Sequence, residues 1–276
     1  MGSRSSKTPL RILCLGDSLT AGYPPAHPYA GKLVEYLEAA FPTHGVEVEV
    51  DGVPGDLVTR GSFIKRMETM WKMQEPKGGF DWTIVLGGTN GKNNIANKGE
   101  TRDGFADSWN YSDVGWGLSA DKVLQSLKKV YGIPLSKGGK VLALTVPETR
   151  LENKNLDERR TAVNDGIKSH KQQNFYTFDL YKSVPYRTMS KADQEKYWDP
   201  DGLHFTEAGY DLIGEKVAEG LTKILHLEEA QSTEISSIVS DARQRKLIEE
   251  LMFEEEQGNP KLLSQGWIVV RKRDLD

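Results

Sequence analysis

Residues 10–20 of the chain read LRILCLGDSLT, an apolar run that ends in a glycine and is followed by Asp17 and Ser18. An apolar run of this length is typical of a strand buried on both faces, and the glycine marks the turn that ends it. A hydroxyl two residues beyond that glycine is expected at the carboxyl end of the strand. We therefore take residues 10–15 as the first strand and Ser18 as the first candidate functional residue.

Further apolar runs alternate with segments of helical periodicity along the first 225 residues. The predicted strands are 10–15, 46–50, 82–86, 140–146 and 175–180. The predicted helices are 29–41, 57–71, 118–130, 156–171 and 206–225. Because parallel strands need crossover connections, this alternation predicts an α/β fold of three layers, with helices on both faces of a parallel sheet.

The composition describes an ordinary globular protein of 276 residues, with 37% hydrophobic and 28% charged residues. Its net charge of -4 gives no general attraction to nucleic acid. Cys14 is the single cysteine, so no intrachain disulfide can form, and burial in the first strand is expected for it. No stretch approaches the roughly 20 apolar residues of a membrane-spanning helix, and the first thirty residues lack the apolar core of a secretory signal. These features predict a cytoplasmic protein without stable membrane insertion.

The first seven residues, MGSRSSK, fit the loose pattern for N-myristoylation, with Gly2 as the acceptor and Ser6 at the favoured position. A disordered terminus or a cloning remnant is the alternative explanation. A single myristoyl chain gives only marginal, reversible membrane binding. The prediction is therefore a weak N-terminal lipid anchor at most, and membrane association only if Gly2 is acylated.

Candidate site residues follow several of the predicted strands. Ser18 follows the first strand, Gly55 the second and the segment 87–90 the third, while His204 comes after the fifth. In parallel sheets ligands bind outside the carboxyl ends of the strands. All four positions are therefore expected at the same edge of the sheet.

These residue types suit acyl transfer. A serine hydroxyl can act as a nucleophile if a histidine takes its proton and a carboxylate orients that histidine. Asp201 lies three residues before His204, across Gly202, and Asp199 competes for the same role. Each motif alone is more often an ordinary turn or strand end, and a lone histidine is usually structural. Their shared edge is what favours the catalytic interpretation.

The tetrahedral intermediate of acyl transfer carries an oxyanion, which needs hydrogen-bond donors. Asn90 offers a side-chain amide, and Gly55 allows close approach to its backbone N–H because it has no side chain. With the backbone N–H of Ser18, these groups make three predicted donors from three strand ends.

The chain resembles the SGNH hydrolases, also called GDSL esterases and lipases, over residues 10–225. Four blocks carry the resemblance, and they occur in the order typical of the family. They are Gly16-Asp17-Ser18-Leu19-Thr20, Pro54-Gly55-Asp56, Gly88-Thr89-Asn90 and Asp201-Gly202-Leu203-His204. The resemblance implies a flavodoxin-like three-layer α/β/α fold with strand order 2-1-3-4-5. It also implies a serine esterase that hydrolyses carboxylic esters without a metal, and no cofactor is predicted. The hydrophilic composition and the lack of a secretion signal favour small, soluble esters as substrates.

The chain departs from the family where Gly91 replaces the aspartate that follows the asparagine in many relatives. An insertion, residues 91–117, begins there inside a predicted hydrolase domain of residues 8–227. Trp109, Tyr111 and Trp116 of the insertion, together with Asp17, are predicted to line the substrate pocket. Anchoring of the insertion onto the domain is the alternative role for its aromatic residues.

Residues 228–276 form a predicted acidic helical extension of unknown role. Ile235, Ile238, Val239 and Ala242 fall on one face of its helix, which suits dimerisation through the tail. Packing of that face against the chain's own domain is the alternative.

Two other functions compete with ester hydrolysis. An acyltransferase would form the same acyl-enzyme on Ser18 and pass the acyl group to an alcohol or amine instead of water. A non-catalytic binding module would keep the flavodoxin-like sheet and use the acidic tail for partners. The four blocks favour an enzyme, and a fluorophosphonate probe that fails to label Ser18 would favour the binding module.

Overall fold

The computed structural model describes residues 7–89 and 119–257. The predicted site residues Asn90, Trp109, Tyr111 and Trp116 lie outside the described residues, as do Gly2, the insertion 91–117 and the end of the tail from residue 258. The backbone of the tail helix is described as far as residue 257, but the side chains of residues 232–242, 244–245 and 247–257 are not.

The described chain alternates strands and helices, as the sequence predicts. The strands are β1 (Thr8–Gly16), β2 (His44–Gly52), β3 (Trp82–Leu86), β4 (Lys140–Leu144) and β5 (Phe175–Phe178). The helices are α1 (Ser18–Ala21), α2 (Ala30–Ala40), α3 (Ser62–Gln74), α4 (Ala120–Ser136), α5 (Lys154–Ser169), α6 (Leu180–Ser183), α7 (Lys191–Tyr197) and α8 (Glu207–Gln257). Two 3-10 turns, Val58–Arg60 and Glu75–Lys77, flank α3.

The five strands form one parallel sheet in the order β2-β1-β3-β4-β5. Both the α/β/α class and the strand order predicted from the sequence are therefore confirmed. In the register, Gly16 at the end of β1 pairs with Gly52 of β2 and with Leu86 of β3. The carboxyl ends of these three strands are thus level, which brings the loops that follow them to one edge.

Each face of the sheet is covered by helices. On one face, Leu13 and Leu15 of β1 join a buried cluster that includes Phe63 of α3, Leu127 of α4 and Val163 of α5. Successive residues of a strand point to opposite faces, so Ile12 and Cys14 face the other side. There α8 packs closely against the start of α2, since a Cβ on Gly214 would lie 2.4 Å from the carbonyl oxygen of Tyr29.

The sequence prediction differs from the structure between β5 and α8. The short helices α6 and α7 were not predicted, because helices of four and seven residues carry too little periodicity, and α7 buries none of its residues. The last helix continues to Gln257 instead of ending near residue 225. Glycine and proline are absent between Leu221 and Gln257, so nothing in the sequence breaks that helix.

The chain divides into two compact units, Met1–Thr222 and Lys223–Asp276. The first unit contains the whole sheet. In the second unit the described backbone is helical. Its role in dimerisation stays a prediction.

Candidate active site

Ser18 is the first residue of α1, at the carboxyl end of β1. Asp17 caps this short helix, because its Oδ1 accepts the backbone N–H of Leu19 at 3.0 Å. The side chain of Asp17 is fully buried. The observed role of Asp17 is thus to hold the turn that carries Ser18, and its contact with a substrate stays a prediction.

The residues from Trp198 to Phe205 form a closed turn that presents His204. An antiparallel bridge joins Trp198 to Phe205. Inside it, the backbone N–H of Asp199 donates to the carbonyl oxygen of His204 at 3.0 Å, and that of Gly202 donates to the carbonyl oxygen of Asp199 at 2.9 Å. The backbone of His204 is therefore fixed from within the turn.

Arg150, which lies between β4 and α5, supports this turn from outside. Its backbone N–H donates to the carbonyl oxygen of Gly202 at 2.7 Å, and its guanidinium Nη1 donates to the carbonyl oxygen of Pro200 at 2.6 Å. Gly202 has a φ of 73°, and a Cβ at this position would lie 2.3 Å from the Cβ of Arg150. Only glycine meets both the backbone angle and the close approach.

The structure brings Ser18, His204 and Asp201 together in one line of hydrogen bonds. His204 Nε2 lies 2.9 Å from Ser18 Oγ, and His204 Nδ1 lies 2.6 Å from Asp201 Oδ2. The side chain of His204 is 3% exposed and that of Asp201 33%. One ring nitrogen thus faces a hydroxyl and the other a carboxylate, which is the arrangement that lets a histidine take a proton from a serine.

The second oxygen of the Asp201 carboxylate binds the backbone of the same turn. Oδ1 accepts the N–H groups of Leu203 at 2.7 Å and of His204 at 2.9 Å. Burial acts to raise the pKa of the Asp201 carboxyl, but the hydrogen bonds from His204 and from these N–H groups outweigh it and lower that pKa below its ordinary value. The carboxylate is therefore ionised at neutral pH.

Asp199, the competing acid in the sequence, lies in a different position. Its Oδ1 accepts the backbone N–H of Asp201 at 3.0 Å. The carboxylate that accepts the hydrogen bond from the ring of His204 is that of Asp201. Asp199 shapes the turn, and Asp201 contacts the imidazole.

Tyr23 packs against the imidazole, and Tyr210 holds the backbone of Tyr23. The ring of Tyr23 meets that of His204 edge to face, with centroids 5.4 Å apart. The hydroxyl of Tyr210, from the first turn of α8, donates to the carbonyl oxygen of Tyr23 at 2.5 Å. Sequence reasoning missed both tyrosines, because neither lies in one of the four blocks.

The glycine block follows β2 at the same edge. Gly55 is exposed and has a φ of 76°, and among the described residues beyond its chain neighbours no atom lies within 4 Å of where its Cβ would be. The left-handed backbone, not crowding, is thus what requires glycine here. The segment after β3 is described as far as Thr89, so the third donor predicted from the sequence lies just beyond the described residues.

Arg66 of α3 is, with Arg150, a charged residue near the site that sequence reasoning missed. It forms ion pairs with Asp51 at 2.8 Å and with Asp56 at 2.9 Å. An arginine on the face of a helix is usually solvated. The partly buried position of Arg66 follows only from its contacts with β1, β2 and the loop after β2. The single sequence signal was Asp56, an acid directly beside Gly55.

The family model described as GDSL-like Lipase/Acylhydrolase matches residues 14–212, which is well over half of the chain. The matched range includes the hydrogen-bonded residues Ser18, Asp201 and His204. The chain belongs to that family. This GDSL protein is accordingly a carboxylic ester hydrolase, as the four sequence blocks predict. Among curated proteins, none matches the chain with significance.

Solved structures similar to this GDSL hydrolase share its fold. A psychrotrophic esterase from a Pseudoalteromonas species, inhibited by monoethylphosphonate, has a TM-score of 0.55 at 14% identity, with 79% of this chain and 99% of the esterase covered. A lipolytic G-D-S-L protein from Veillonella parvula has a TM-score of 0.53 at 23% identity, with coverages of 76% and 96%. An acetylxylan esterase from Geobacillus stearothermophilus has a TM-score of 0.52 at 16% identity, with coverages of 78% and 94%.

The described residues of this GDSL hydrolase contain neither a cluster of metal ligands nor a helix suited to crossing a membrane. Within residues 7–89 and 119–257, no group of three or more histidine, cysteine, aspartate or glutamate residues is placed to hold a metal ion. Over the same ranges, no helix combines the length and the apolar character that crossing a membrane requires.

Proposed function

We propose that this GDSL hydrolase is a serine esterase that cleaves carboxylic esters through an acyl-enzyme on Ser18. The observation that carries the proposal is the hydrogen bond of 2.9 Å between Ser18 Oγ and His204 Nε2, with Asp201 at 2.6 Å on the opposite ring nitrogen. This geometry lets proton transfer accompany nucleophilic attack.

In the proposed mechanism Ser18 Oγ attacks the ester carbonyl carbon while His204 Nε2 takes its proton. The resulting imidazolium is stabilised by Asp201, whose carboxylate is ionised. His204 then donates the proton to the leaving alkoxide as the bond between the acyl carbon and that oxygen breaks. Water attacks the acyl-enzyme with His204 again as the base, and Ser18 is regenerated with release of the carboxylic acid.

The oxyanion of each tetrahedral intermediate is proposed to bind the backbone N–H groups of Ser18 and Gly55 and the side-chain amide of Asn90. Ser18 is the first residue of α1, where N–H groups lack partners within the helix. Gly55 and the segment before Asn90 follow strands whose ends are level with that of β1. A single oxyanion donor is typically worth about 10²–10³ in rate.

The proposed substrates are small, soluble esters, and the proposed location is the cytoplasm. The low hydropathy of the chain supports this choice over a lipid substrate. A neighbour of the same fold is an acetylxylan esterase, so acetylated sugars belong in the first substrate panel. Trp109, Tyr111 and Trp116, with Asp17, are proposed as residues of the acyl or alcohol pocket.

Purified protein assayed with acetylated sugars and with p-nitrophenyl acetate, butyrate, octanoate and laurate tests the proposal. We expect measurable hydrolysis that is fastest with the short acyl chains. Ser18→Ala should lose it, and a fluorophosphonate probe should label Ser18 in the parent protein but nothing in the variant. Hydrolysis that survives in Ser18→Ala would refute the assignment of the nucleophile.

The same assay separates hydrolysis from acyl transfer. With a soluble alcohol added in excess, an esterase still releases mostly the free acid, whereas an acyltransferase produces mostly the new ester. Product analysis by mass spectrometry measures that ratio. A majority of transferred product would replace the proposed hydrolase with the acyltransferase alternative.

A further inference from the structure

The loops that follow β1, β2 and β3 supply the three proposed oxyanion donors, and a single helix side chain joins the ends of two of these strands. Arg66 of α3 donates through Nη2 to the carbonyl oxygen of Gly16, the last residue of β1, at 2.9 Å. Through Nη1 it donates to the carbonyl oxygen of Asp51 at 2.7 Å and to its Oδ1 at 2.8 Å. Asp51 lies next to the end of β2, so the guanidinium bridges the strands that precede Ser18 and Gly55.

The same guanidinium also holds the glycine block. Nη2 and Nε of Arg66 donate to Asp56 Oδ2 at 2.9 and 3.2 Å. The other carboxylate oxygen of Asp56 accepts the hydroxyl of Ser62 and the backbone N–H of Leu57, the latter at 2.8 Å. Asp56 is thus fixed on both oxygens, and Gly55 is the residue directly before it.

The backbone of this loop is joined to β1 through Val53. Val53 N–H donates to the carbonyl oxygen of Gly16 at 3.2 Å, and Asp56 N–H donates to that of Val53 at 3.1 Å. Gly55 itself is exposed, and in the part of the chain that the structure describes no atom beyond its chain neighbours lies within 4 Å of where its Cβ would be. The Asp56–Arg66 pair therefore restrains the loop in addition to that backbone hydrogen bond.

The third strand end is reached through an aromatic ring. The guanidinium of Arg66 lies over the ring of Phe63, with the carbon Cζ 4.8 Å from the ring centroid. Phe63 is fully buried and abuts Gly87, because a Cβ on Gly87 would lie 2.9 Å from the ring. Gly87 directly follows β3. One stacked pair on α3 therefore touches the ends of β1, β2 and β3.

We infer that Arg66 is a positioning residue of the oxyanion hole, which sets the distance between the Gly55 loop and Ser18 through Asp56 and the carbonyl of Gly16. It does not touch the reacting atoms. The side chain suits the task because the planar guanidinium can donate to several acceptors at fixed angles, whereas a lysine ammonium cannot satisfy the same set. The partners are also shielded, since the side chains of Arg66, Asp51 and Asp56 are 17%, 18% and 10% exposed.

The inference rests on the proposed function, because the oxyanion donors are part of that proposal. A donor that stabilises the transition state more than the bound ester affects kcat and leaves KM nearly unchanged. A loop displaced by a fraction of an ångström should therefore lower kcat. A purely structural ion pair should lower the stability of the fold without that selective effect.

The experiment compares Arg66→Gln with Arg187→Gln as a matched control. Arg187 also pairs with an aspartate, Asp157, at 2.9 Å, and is 27% exposed. With p-nitrophenyl acetate we expect Arg66→Gln to lower kcat by about tenfold or more with KM within about twofold, since small misplacements of catalytic groups are costly. Arg187→Gln should keep kcat within about twofold at a similar loss in the urea midpoint.

Two further variants cover the case in which Arg66→Gln does not fold. Arg66→Lys keeps the charge and should retain part of kcat, but less than the parent protein. Arg66→Ala should regain part of its kcat on addition of millimolar guanidinium chloride, which is far below denaturing concentrations, and none on addition of sodium chloride. Recovery of kcat through a free guanidinium would locate the effect in the space that the Arg66 side chain fills in the parent protein.

The outcomes separate the two proposals. An Arg66→Gln or Arg66→Lys protein whose kcat equals that of the control overturns the positioning role while leaving the esterase intact. A parent protein without activity dependent on Ser18 overturns the proposed function instead. The double variant Arg66→Gln/Asp56→Asn adds a further test. If its loss in kcat equalled the full sum, in free energy, of the losses in the two single variants, the inference would be contradicted, because residues that act as one unit are not additive.

Discussion

His204 and Asp201 are joined by two hydrogen bonds, one from the ring Nδ1 to Oδ2 at 2.6 Å and one from the backbone N–H to Oδ1 at 2.9 Å. A single carboxylate thereby holds both the backbone and the imidazole of the histidine that faces Ser18. Its two oxygens have separate tasks, and that division leads to a sharp expectation for substitution at this position.

We expect Asp201→Asn to lower kcat by about 10²–10⁴, by analogy with the loss of the orienting acid in other triads. The N–H groups of Leu203 and His204 require an acceptor, so the asparagine oxygen should take the place of Oδ1. Its NH₂ group would then face Nδ1 of the ring. The proton of the neutral imidazole would be forced onto Nε2, which could no longer accept the proton of Ser18.

Asp199→Asn is the control for this substitution. Asp199 fixes the backbone N–H of Asp201, and one such hydrogen bond is worth about 0.5–1.5 kcal/mol. We therefore expect a loss in kcat of at most about tenfold, measured under the same conditions. A larger loss in Asp199→Asn than in Asp201→Asn would reverse the roles given to the two acids.

The lowered pKa of Asp201 predicts a dependence of stability on pH. A group whose pKa is lower in the folded than in the unfolded state stabilises the fold above the unfolded value, ordinarily 3.8, and loses this contribution as pH falls through the folded value. The difference in unfolding free energy between the parent protein and Asp201→Asn should thus shrink below pH 3.8. Urea unfolding of both proteins at neutral and acid pH measures it, and a difference that is constant over that range would contradict the prediction.

Gly202→Ala should destabilise the fold by about 2–4 kcal/mol, because the new Cβ meets a positive φ and the Cβ of Arg150 together. The same change should lower kcat, since the turn carries His204. Gly132→Ala in α4 is the matched control, as no atom of the described residues outside its own helix backbone lies within 4 Å of its Cβ position. That change should stabilise the protein by about 0.5–1 kcal/mol. Thermal unfolding of both variants provides the comparison, and equal effects would show that the turn tolerates a side chain.

Cys14 should be unreactive in the folded protein. It is fully buried in β1, and burial raises the pKa of its thiol to about 12. We expect a disulfide reagent such as dithionitrobenzoate to leave the native protein unmodified and to react with one thiol per chain in denaturant. Rapid labelling without denaturant would show that β1 opens locally or that the strand is misplaced.

The strands and their order could be predicted because the central strands are buried on both faces. Such strands are continuous apolar runs, and those ending at Leu15 and Leu86 are bounded by glycine. The short helices after β5 could not be predicted in the same way, because α7 packs no side chain into the core. The continuous helix α8 was divided by the prediction where its apolar pattern weakens, although no residue breaks it.

The candidate site divides along the same physical line. Ser18, Gly55, Asp201 and His204 were identifiable because each lies in a short local pattern after a strand. The roles of these residues, and of Asn90, stay predictions until the variants are measured. Arg66 and Arg150 were not identifiable, since their partners are distant in the sequence. A sequence does not distinguish an arginine that binds such partners from one that is only solvated.

The sequence by itself determined the fold class, the family and the edge of the sheet that carries the site, because periodicity and strand-end motifs are local properties. Only the tertiary structure decided that Asp201, and not Asp199, contacts the ring of His204. It also revealed that one arginine of α3 binds the ends of β1 and β2 at once. The first result depends on the folded geometry of the turn from Trp198 to Phe205. The second depends on the packing of segments as far apart in the chain as residues 16 and 66. Neither geometry is written in a local sequence pattern.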